Sequence, residues 1–301
     1  MHGHDHKTTA EQSGGRLAIA VTLNLALGIA QVVGGLIAGS LALVADALHN
    51  LSDAASLVVA LLARRIAGKP ADEKRTFGYR RAEVIGAAIN LSALIFVALY
   101  LDYEAIARFF SEKAVEGWIV VLLAGGALAV DVMTALLTYA QSRHSLNIKA
   151  AFVHNVSDGL ASIAVLVAGS LILLYHWYWA DLVATLLISS YALYQGITML
   201  PRVVNILMEG APTGLDLQEV VAALKSIDGV LDAHHVHAWE LDENHRALEA
   251  HVVVTADDLD ALETIKQRCK AVLQDRFAIT HSTLEIELPS AGHEPDVVTE
   301  H

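Results

Sequence analysis

Six apolar stretches, each long enough to cross a bilayer, limit what this chain can fold into: Leu17–Ala38, Leu41–Leu62, Val84–Phe110, Trp118–Tyr139, Ala150–Leu174 and Trp179–Leu200. Roughly 20 apolar residues span a hydrocarbon core as a helix. Lipid offers no partner to backbone N–H and C=O groups, so a spanning segment must satisfy them itself. The pattern predicts an α-helical membrane protein with six transmembrane helices, the first two joined at Gly39-Ser40 as a tight hairpin. Basic residues set the orientation. Arg64, Arg65, Lys69, Lys74, Arg75, Arg80 and Arg81 crowd the connection after the second span, and Arg143 and Lys149 follow the fourth. The opposite loops hold Arg108 and Lys113 beside Glu112 and Glu116, or the run Tyr175-His176-Trp177-Tyr178-Trp179. An excess of Lys and Arg marks the cytoplasmic side, which puts both termini there too, and the aromatic run reads as a belt at the lipid interface. His176 belongs to that belt rather than to a ligand set.

Charge then divides the chain. Residues 1–208 carry 14 acidic and 14 basic side chains, whereas residues 209–301 carry 19 acidic and 6 basic, so the whole net charge of −13 falls on the second part. An acidic surface of this kind excludes nucleic acid as a partner. The expected organisation is a short His-containing tail at 1–15, a lipid-embedded domain at 16–208, a cytoplasmic domain at 209–288 and a polar, disordered tail at 289–301. In the third part, helical patterns at Leu217–Ile227 and Leu259–Phe277 alternate with strand patterns near Val230–Leu241, Ala247–Thr255 and Thr280–Leu288. The order αββαβ predicts a small α+β layer, like ferredoxins and metallochaperones in form but without the paired cysteines of the latter. The single cysteine, Cys269, allows neither an intrachain disulfide nor a CxxC site.

One five-residue phrase occurs twice within the apolar stretches: His49-Asn50-Leu51-Ser52-Asp53 in the second and His154-Asn155-Val156-Ser157-Asp158 in the fifth. On a helix, a His and an Asp four residues apart share one face, one turn apart. Ionisable groups are costly in lipid and so face a cavity or a partner; a single such pair is also explained by a polar contact that holds helices together. Two matching pairs favour a metal, because two imidazoles and two carboxylates suit a tetrahedral divalent ion. The two spans are antiparallel in the orientation above, and the pairs lie at depths compatible with one site near the midplane, where transporters bind substrate. The repeated Asn50/Asn155 and Ser52/Ser157 either orient the ligands or pack helices. Asn24, Gln31, Asn90 and Asp131 are further polar residues in spans, and Asp131 either lines the ion path or pairs with a polar neighbour.

Histidine also concentrates outside the spans. His2, His4 and His6 form either a metal-collecting arm or a solvated tail. The cytoplasmic domain has His234, His235 and His237 in AHHVHAW, with His245, His251 and His281 beyond. Strand alternation puts His235 and His237 on one face and His234 on the other. With Glu285 or Glu287 near them, these residues form a second metal site or a solvated surface.

LVADALHNLSD, FGYRRAEV, AAFVHNVSDGLAS, HHVHAWEL, AHVVV and ITHSTLEIE together resemble the cation diffusion facilitator family, in particular its zinc-transporting branch, from about Gly14 to Leu288. The resemblance implies a homodimeric exporter of divalent cations (Zn2+, with Cd2+ and Co2+ as further candidates) driven by protons. It carries the transport site onto His49, Asp53, His154 and Asp158, and a cytoplasmic site onto His234, His251 and His281. The loop between the fourth and fifth spans is short, with only His144, which implies a bacterial-type member of an inner membrane and argues against a loop-based zinc relay.

Ligand chemistry adds a mechanism. Zinc needs neutral imidazole and ionised carboxylate, so metal and protons compete for the same atoms, and histidine titrates near neutral pH. No GxxxxGK[ST] motif occurs, so an ion gradient must supply the energy. Two other classes fit parts of the pattern: a membrane metalloenzyme with an open metal position, which here lacks HExxH, and a metal-sensing membrane protein that detects with its tail domain.

Overall fold

The computed structural model describes residues 25–111, 113–142, 146–255 and 258–289. His2, His4 and His6, the start of the first span with Asn24, Arg143 and His144 of the fourth loop, and the tail from 290 lie outside the described residues. The chain forms two compact units, one from residues up to Val59 with Ile89–Met199, the other from Ala60–Ala88 with Leu200 onward.

Six helices account for the apolar stretches: α1 (Leu25–Ala38), α2 (Leu41–Ala67), α3 (Arg81–Phe110), α4 (Gly117–Ser142), α5 (Leu146–Tyr175) and α6 (Trp179–Leu207). Length and composition suffice to cross a membrane in α3, in α6, in Gly117–Leu136 of α4 and in Phe152–Tyr175 of α5. The protein is therefore a helical transmembrane protein with at least these four spans. Helix α2 has 27 residues, about 40 Å at 1.5 Å per residue, but Asp46, His49, Asn50, Ser52 and Asp53 interrupt its apolar run. A count of six spans thus rests on α1 and α2.

Side chains that point away from the first unit are large and apolar. Leu36, Ile37, Phe96, Leu122, Leu136 and Leu174 are 66–72% exposed. In water such a surface drives association; in lipid it is the surface required. Small residues let the helices approach inside. A Cβ on Gly117 would lie 2.8 Å from the Leu173 backbone nitrogen, and one on Gly169 would lie 2.7 Å from the Val120 side chain, so glycine at both positions brings α4 against α5.

The α1–α2 turn shows how polar groups are managed there. Gly39 has φ +73°, open to glycine at little cost. The start of α2 leaves backbone N–H groups without helical partners. Asp181, on the first turn of α6, accepts from Ser40 Oγ at 2.5 Å and from the Leu41 amide at 2.7 Å, and is 1% exposed. The Gly39 carbonyl accepts from Arg108 of α3 at 2.7 Å. Four helices, α1, α2, α3 and α6, are fixed around one turn.

The second unit has the expected αββαβ order: α7 (Leu217–Lys225), β1 (Val230–Asp242), β2 (His245–Val254), α8 (Leu259–Phe277) and β3 (Ile279–Glu287). Both helices start at aspartate N-caps: Asp216 accepts from the Gln218 amide and Asp258 from the Ala261 amide, each at 2.8 Å. The sheet order is β1-β2-β3, with β2 antiparallel to β1 and parallel to β3. Ala233, Val236, Leu248, Ala250, Val252 and Val254 of the sheet form one core with Val220 and Leu224 of α7 and with Ile265, Cys269, Leu273 and Phe277 of α8. The other face of the sheet carries histidine and glutamate.

Strict alternation fails in β1. The ladder pairs His234 with His251 and then His237 with Glu249, so a bulge lies between His234 and His237. His235 sits in that bulge with φ +48°. His234 and His237 therefore share the face of His251, and the expected separation of His234 from His237 is corrected by the extra residue. In the same unit Tyr79 donates to Asp72 at 2.7 Å and holds that carboxyl below its usual range, while Arg81 pairs with Glu209 at 2.8 Å. The FGYRRAE segment is thereby tied into the unit.

Candidate metal centre

The two repeated pairs meet. Helix geometry sets His49 one turn from Asp53 on α2 and His154 one turn from Asp158 on α5, and the two helices present these faces to each other. His49 Nε2 lies 3.8 Å from Asp53 Oδ2 and 3.6 Å from Asp158 Oδ1. His154 Nε2 lies 3.4 Å from the same Asp53 oxygen and 3.5 Å from Asp158 Oδ2. A tetrahedron with metal–ligand bonds of about 2.0–2.1 Å has edges of about 3.3–3.4 Å. The four N···O separations match, or slightly exceed, four of the six edges of such a sphere, with Asp158 turning a different oxygen to each imidazole, and His49, Asp53 and Asp158 offer ligand atoms that all lie within 4.8 Å of one another.

Exposure is uneven across the four. The side chains of His49 and Asp158 are 9% and 11% exposed, against 38% for Asp53 and 48% for His154. The open pair lies toward the C-terminal end of α2 and the N-terminal end of α5, and the closed pair lies a turn deeper. His49 Nδ1, Asp53 Oδ2 and Asp158 Oδ1 are buried atoms without a hydrogen-bond partner among the described residues. Buried donors and acceptors are nearly always satisfied, so the two unpartnered carboxylate oxygens, both facing His49 Nε2, are what a site for a ligand looks like.

The residues around the centre divide. Ser157 returns its hydroxyl to the Val153 carbonyl of its own helix at 3.1 Å, which is backbone bonding and not ligand orientation. Asp131, 7% exposed, accepts from Ser162 of α5 at 2.8 Å, so it pairs with a polar neighbour. Sequence reasoning passed over several buried or half-buried carboxylates in the spans, three of which hold helices together. Asp102 accepts from Ser189, Asp181 caps α2, and Asp46 accepts from Gln31 of α1 at 2.8 Å. For Asp46 a signal was available, since it stands three residues before His49 and so near the same helix face.

A second cluster forms on the face of the second unit's sheet opposite its core. His251 Nδ1 lies 2.8 Å from Glu287 Oε1, His251 Nε2 lies 3.4 Å from Glu285, and His234 Nε2 lies 3.6 Å from Glu287 Oε2. His234, His251 and Glu287 can offer ligand atoms that all lie within 4.8 Å of one another. The bulge adds the ring of His235, 4.7 Å from that of His251. His281 is not brought to this group. It pairs in register with Ala247, four residues from His251 along β2, about 13 Å at 3.3 Å per residue, and its ring meets Phe77. Glu287 occupies the position the sequence reading gave to His281, because β3 runs parallel to β2 and brings its C-terminal end to His251 and His234.

Known proteins agree with this architecture. A family profile described as "Cation efflux transmembrane domain" matches residues 17–208, and one described as "Cation efflux protein, cytoplasmic domain" matches residues 212–288. The chain is 33% identical to a cadmium, cobalt and zinc/H(+)-K(+) antiporter of Bacillus velezensis over 299 residues, 98% of this chain and 95% of the relative. It is 37% identical to the metal cation efflux system protein CzcD of Cupriavidus metallidurans over 290 residues, 95% of this chain and 90% of the relative. It is 33% identical to the zinc transporter ZitB of Escherichia coli over 301 residues, 98% of this chain and 95% of the relative. Both domains and nearly the full length of the chain are covered, and the chain belongs to the cation efflux family, whose members are membrane transporters of cations and not enzymes.

Proposed function

We propose that this protein exports a divalent cation from the cytoplasm, Zn2+ first and Cd2+ or Co2+ as further cargo, in exchange for protons entering from the other side. The cargo site is His49, Asp53, His154 and Asp158. One observation carries this reading: two HxxxD pairs from separate helices converge with N···O separations of 3.4–3.8 Å. The names of relatives, among them a zinc transporter and a cadmium, cobalt and zinc/H(+)-K(+) antiporter, support the choice of cargo.

The mechanism follows from donor chemistry. Zinc replaces protons on imidazole and carboxylate, so a rise in proton activity displaces it. Histidine as a residue type changes charge near neutral pH, which suits exchange of a cation for protons. With six spans and cytoplasmic termini, the C-terminal end of α2 and the N-terminal end of α5 face the cytoplasm. The half-exposed Asp53 and His154 are then the mouth of the site, and the buried His49 and Asp158 its floor. That arrangement is open to cytoplasmic cargo, and alternating access requires the bundle to close this mouth and uncover the other side. The setting we propose is a bacterial inner membrane, with membrane lipid around the spans.

The acidic cytoplasmic domains, carrying the chain's −13 charge, repel one another in a homodimer. A divalent ion held by His234, His251 and Glu287 relieves that repulsion, and the domain acts as a regulatory ion site. Zinc uptake into proteoliposomes under an imposed pH gradient tests the main reading. Flux driven by the gradient is expected; zinc binding with no flux would leave the protein as a sensor.

A further inference from the structure

Gln31 on α1 and Asp46 on α2 form a buried pair to which the cation site assigns no role. They are 0% and 1% exposed, and the Gln31 amide nitrogen donates to Asp46 Oδ2 at 2.8 Å. Their other two polar atoms, Gln31 Oε1 and Asp46 Oδ1, are buried acceptors with no hydrogen-bond partner among the described residues. Native proteins rarely leave such atoms unsatisfied, and each exception asks what is missing. The titratable groups close enough to act electrostatically on Asp46 are His49 on its own helix, Asp131 on α4 and Asp158 on α5, while α1 contributes the neutral Gln31. Two of those three are carboxyls. An ionised Asp46 would add charge to a region that already holds Asp53, Asp131 and Asp158, with an amide as its hydrogen-bond partner and His49 engaged by the carboxylates of the cation site. A metal ion is a poor occupant, because two oxygens are too few for its sphere and the atoms have no accessible surface for water to complete it. A proton needs neither.

We propose that Asp46 carries a proton on Oδ1 and donates it to Gln31 Oε1, closing an acid–amide pair that satisfies both acceptors. The pair links α1 to α2 one turn from His49. It gives the membrane unit a proton-holding group that is not a cation ligand. When the proton leaves, the Oδ1–H bond breaks, the proton passes to solvent on the side then open, and Asp46 is left ionised beside the site. This role rests on the proton-exchange reading above; the protonated state itself does not.

Infrared difference spectroscopy on the full chain in lipid nanodiscs at neutral pH separates the two. Asp46→Asn keeps both bonds, because its amide pairs with the Gln31 amide in the same way, so folding and zinc binding are expected to persist. The carbonyl band of a protonated carboxylic acid is expected in the wild type, lost in Asp46→Asn and shifted in Gln31→Leu. An unchanged band in both variants would overturn the proposal, as would loss of zinc binding in folded Asp46→Asn, which would make Asp46 a counter-charge to the metal. In proteoliposomes, Asp46→Asn is expected to flatten the pH dependence of zinc flux. A profile identical to wild type would overturn the role, whereas a pH-independent wild-type flux would sink the exchange reading and leave the protonated pair standing.

Discussion

Asp158→Asn and Asp53→Asn remove one carboxylate each from the same sphere, and the structure makes their costs unequal. Asp158 lies 3.5–3.6 Å from both imidazoles with a side chain only 11% exposed. Water cannot easily replace it, and the divalent cation loses half of its counter-charge in a region of low dielectric. Removing one partner of a buried ionic contact costs about 3–5 kcal/mol, which at 1.4 kcal/mol per decade is a loss of roughly 10²–10⁴ in affinity. Asp53, with a side chain 38% exposed, sits where solvent can supply an oxygen and screen the charge. Its loss is expected to cost about 1–3 kcal/mol, as for an accessible charged hydrogen-bonding group, or roughly ten- to a hundred-fold in affinity. Calorimetric titration of zinc into the full chain, with His234 and His251 replaced by Ala to silence the cytoplasmic cluster, measures both. Equal affinities in the two variants, or wild-type affinity in folded Asp158→Asn, would refute the reasoning.

Exchanging an imidazole for a carboxylate hardens the sphere, so His49→Asp is expected to keep zinc flux while admitting cadmium; an unchanged cadmium-to-zinc flux ratio would remove His49 as a selectivity ligand. In the cytoplasmic domain, His251→Ala is expected to abolish zinc-dependent stabilisation and tightening of self-association, and His281→Ala to leave both intact, as read by thermal melts and sedimentation. Because protons compete with zinc for the ligand nitrogens, that zinc effect should weaken as the pH falls. Asp181→Ala leaves the Leu41 amide and Ser40 hydroxyl without their acceptor; a buried donor left unsatisfied costs about 1–3 kcal/mol, so folded yield and melting temperature should fall while zinc affinity of the folded fraction is kept. Burial pushes the Cys269 thiol up to about 11. Because the thiolate is the reactive form, maleimide should not label Cys269 at neutral pH until the domain unfolds.

The parts of the site that local geometry determines were legible in the sequence. A His and an Asp four apart on a helix must share a face, and repetition of the phrase told that the two faces belong together. The αββαβ order was legible for the same reason, since alternation and helical periodicity are local. What depends on tertiary placement was not. The bulge at His235 shifts the register by one residue, which no count along AHHVHAW reveals. Glu287 rather than His281 reaches His251 because β3 is parallel to β2, and strand direction is a property of the crossover through α8. Asp181 caps α2 from a helix 140 residues away in sequence, and Asp46 is hidden in the apolar run LVADAL until α1 is seen packed against it. The same polar residues that α2 brings to the proposed centre lower its apolarity, so its place among the spans is the least evident from composition.

X-ray absorption at the zinc edge, on the zinc-loaded full chain with His234 and His251 replaced by Ala, examines the proposed centre atom by atom. The account expects four nearest neighbours at about 2.0 Å with the outer-shell scattering of two imidazoles, reduced to one in His49→Ala and in His154→Ala alike. A six-oxygen shell without imidazole scattering, or a spectrum unmoved by either substitution, would contradict it.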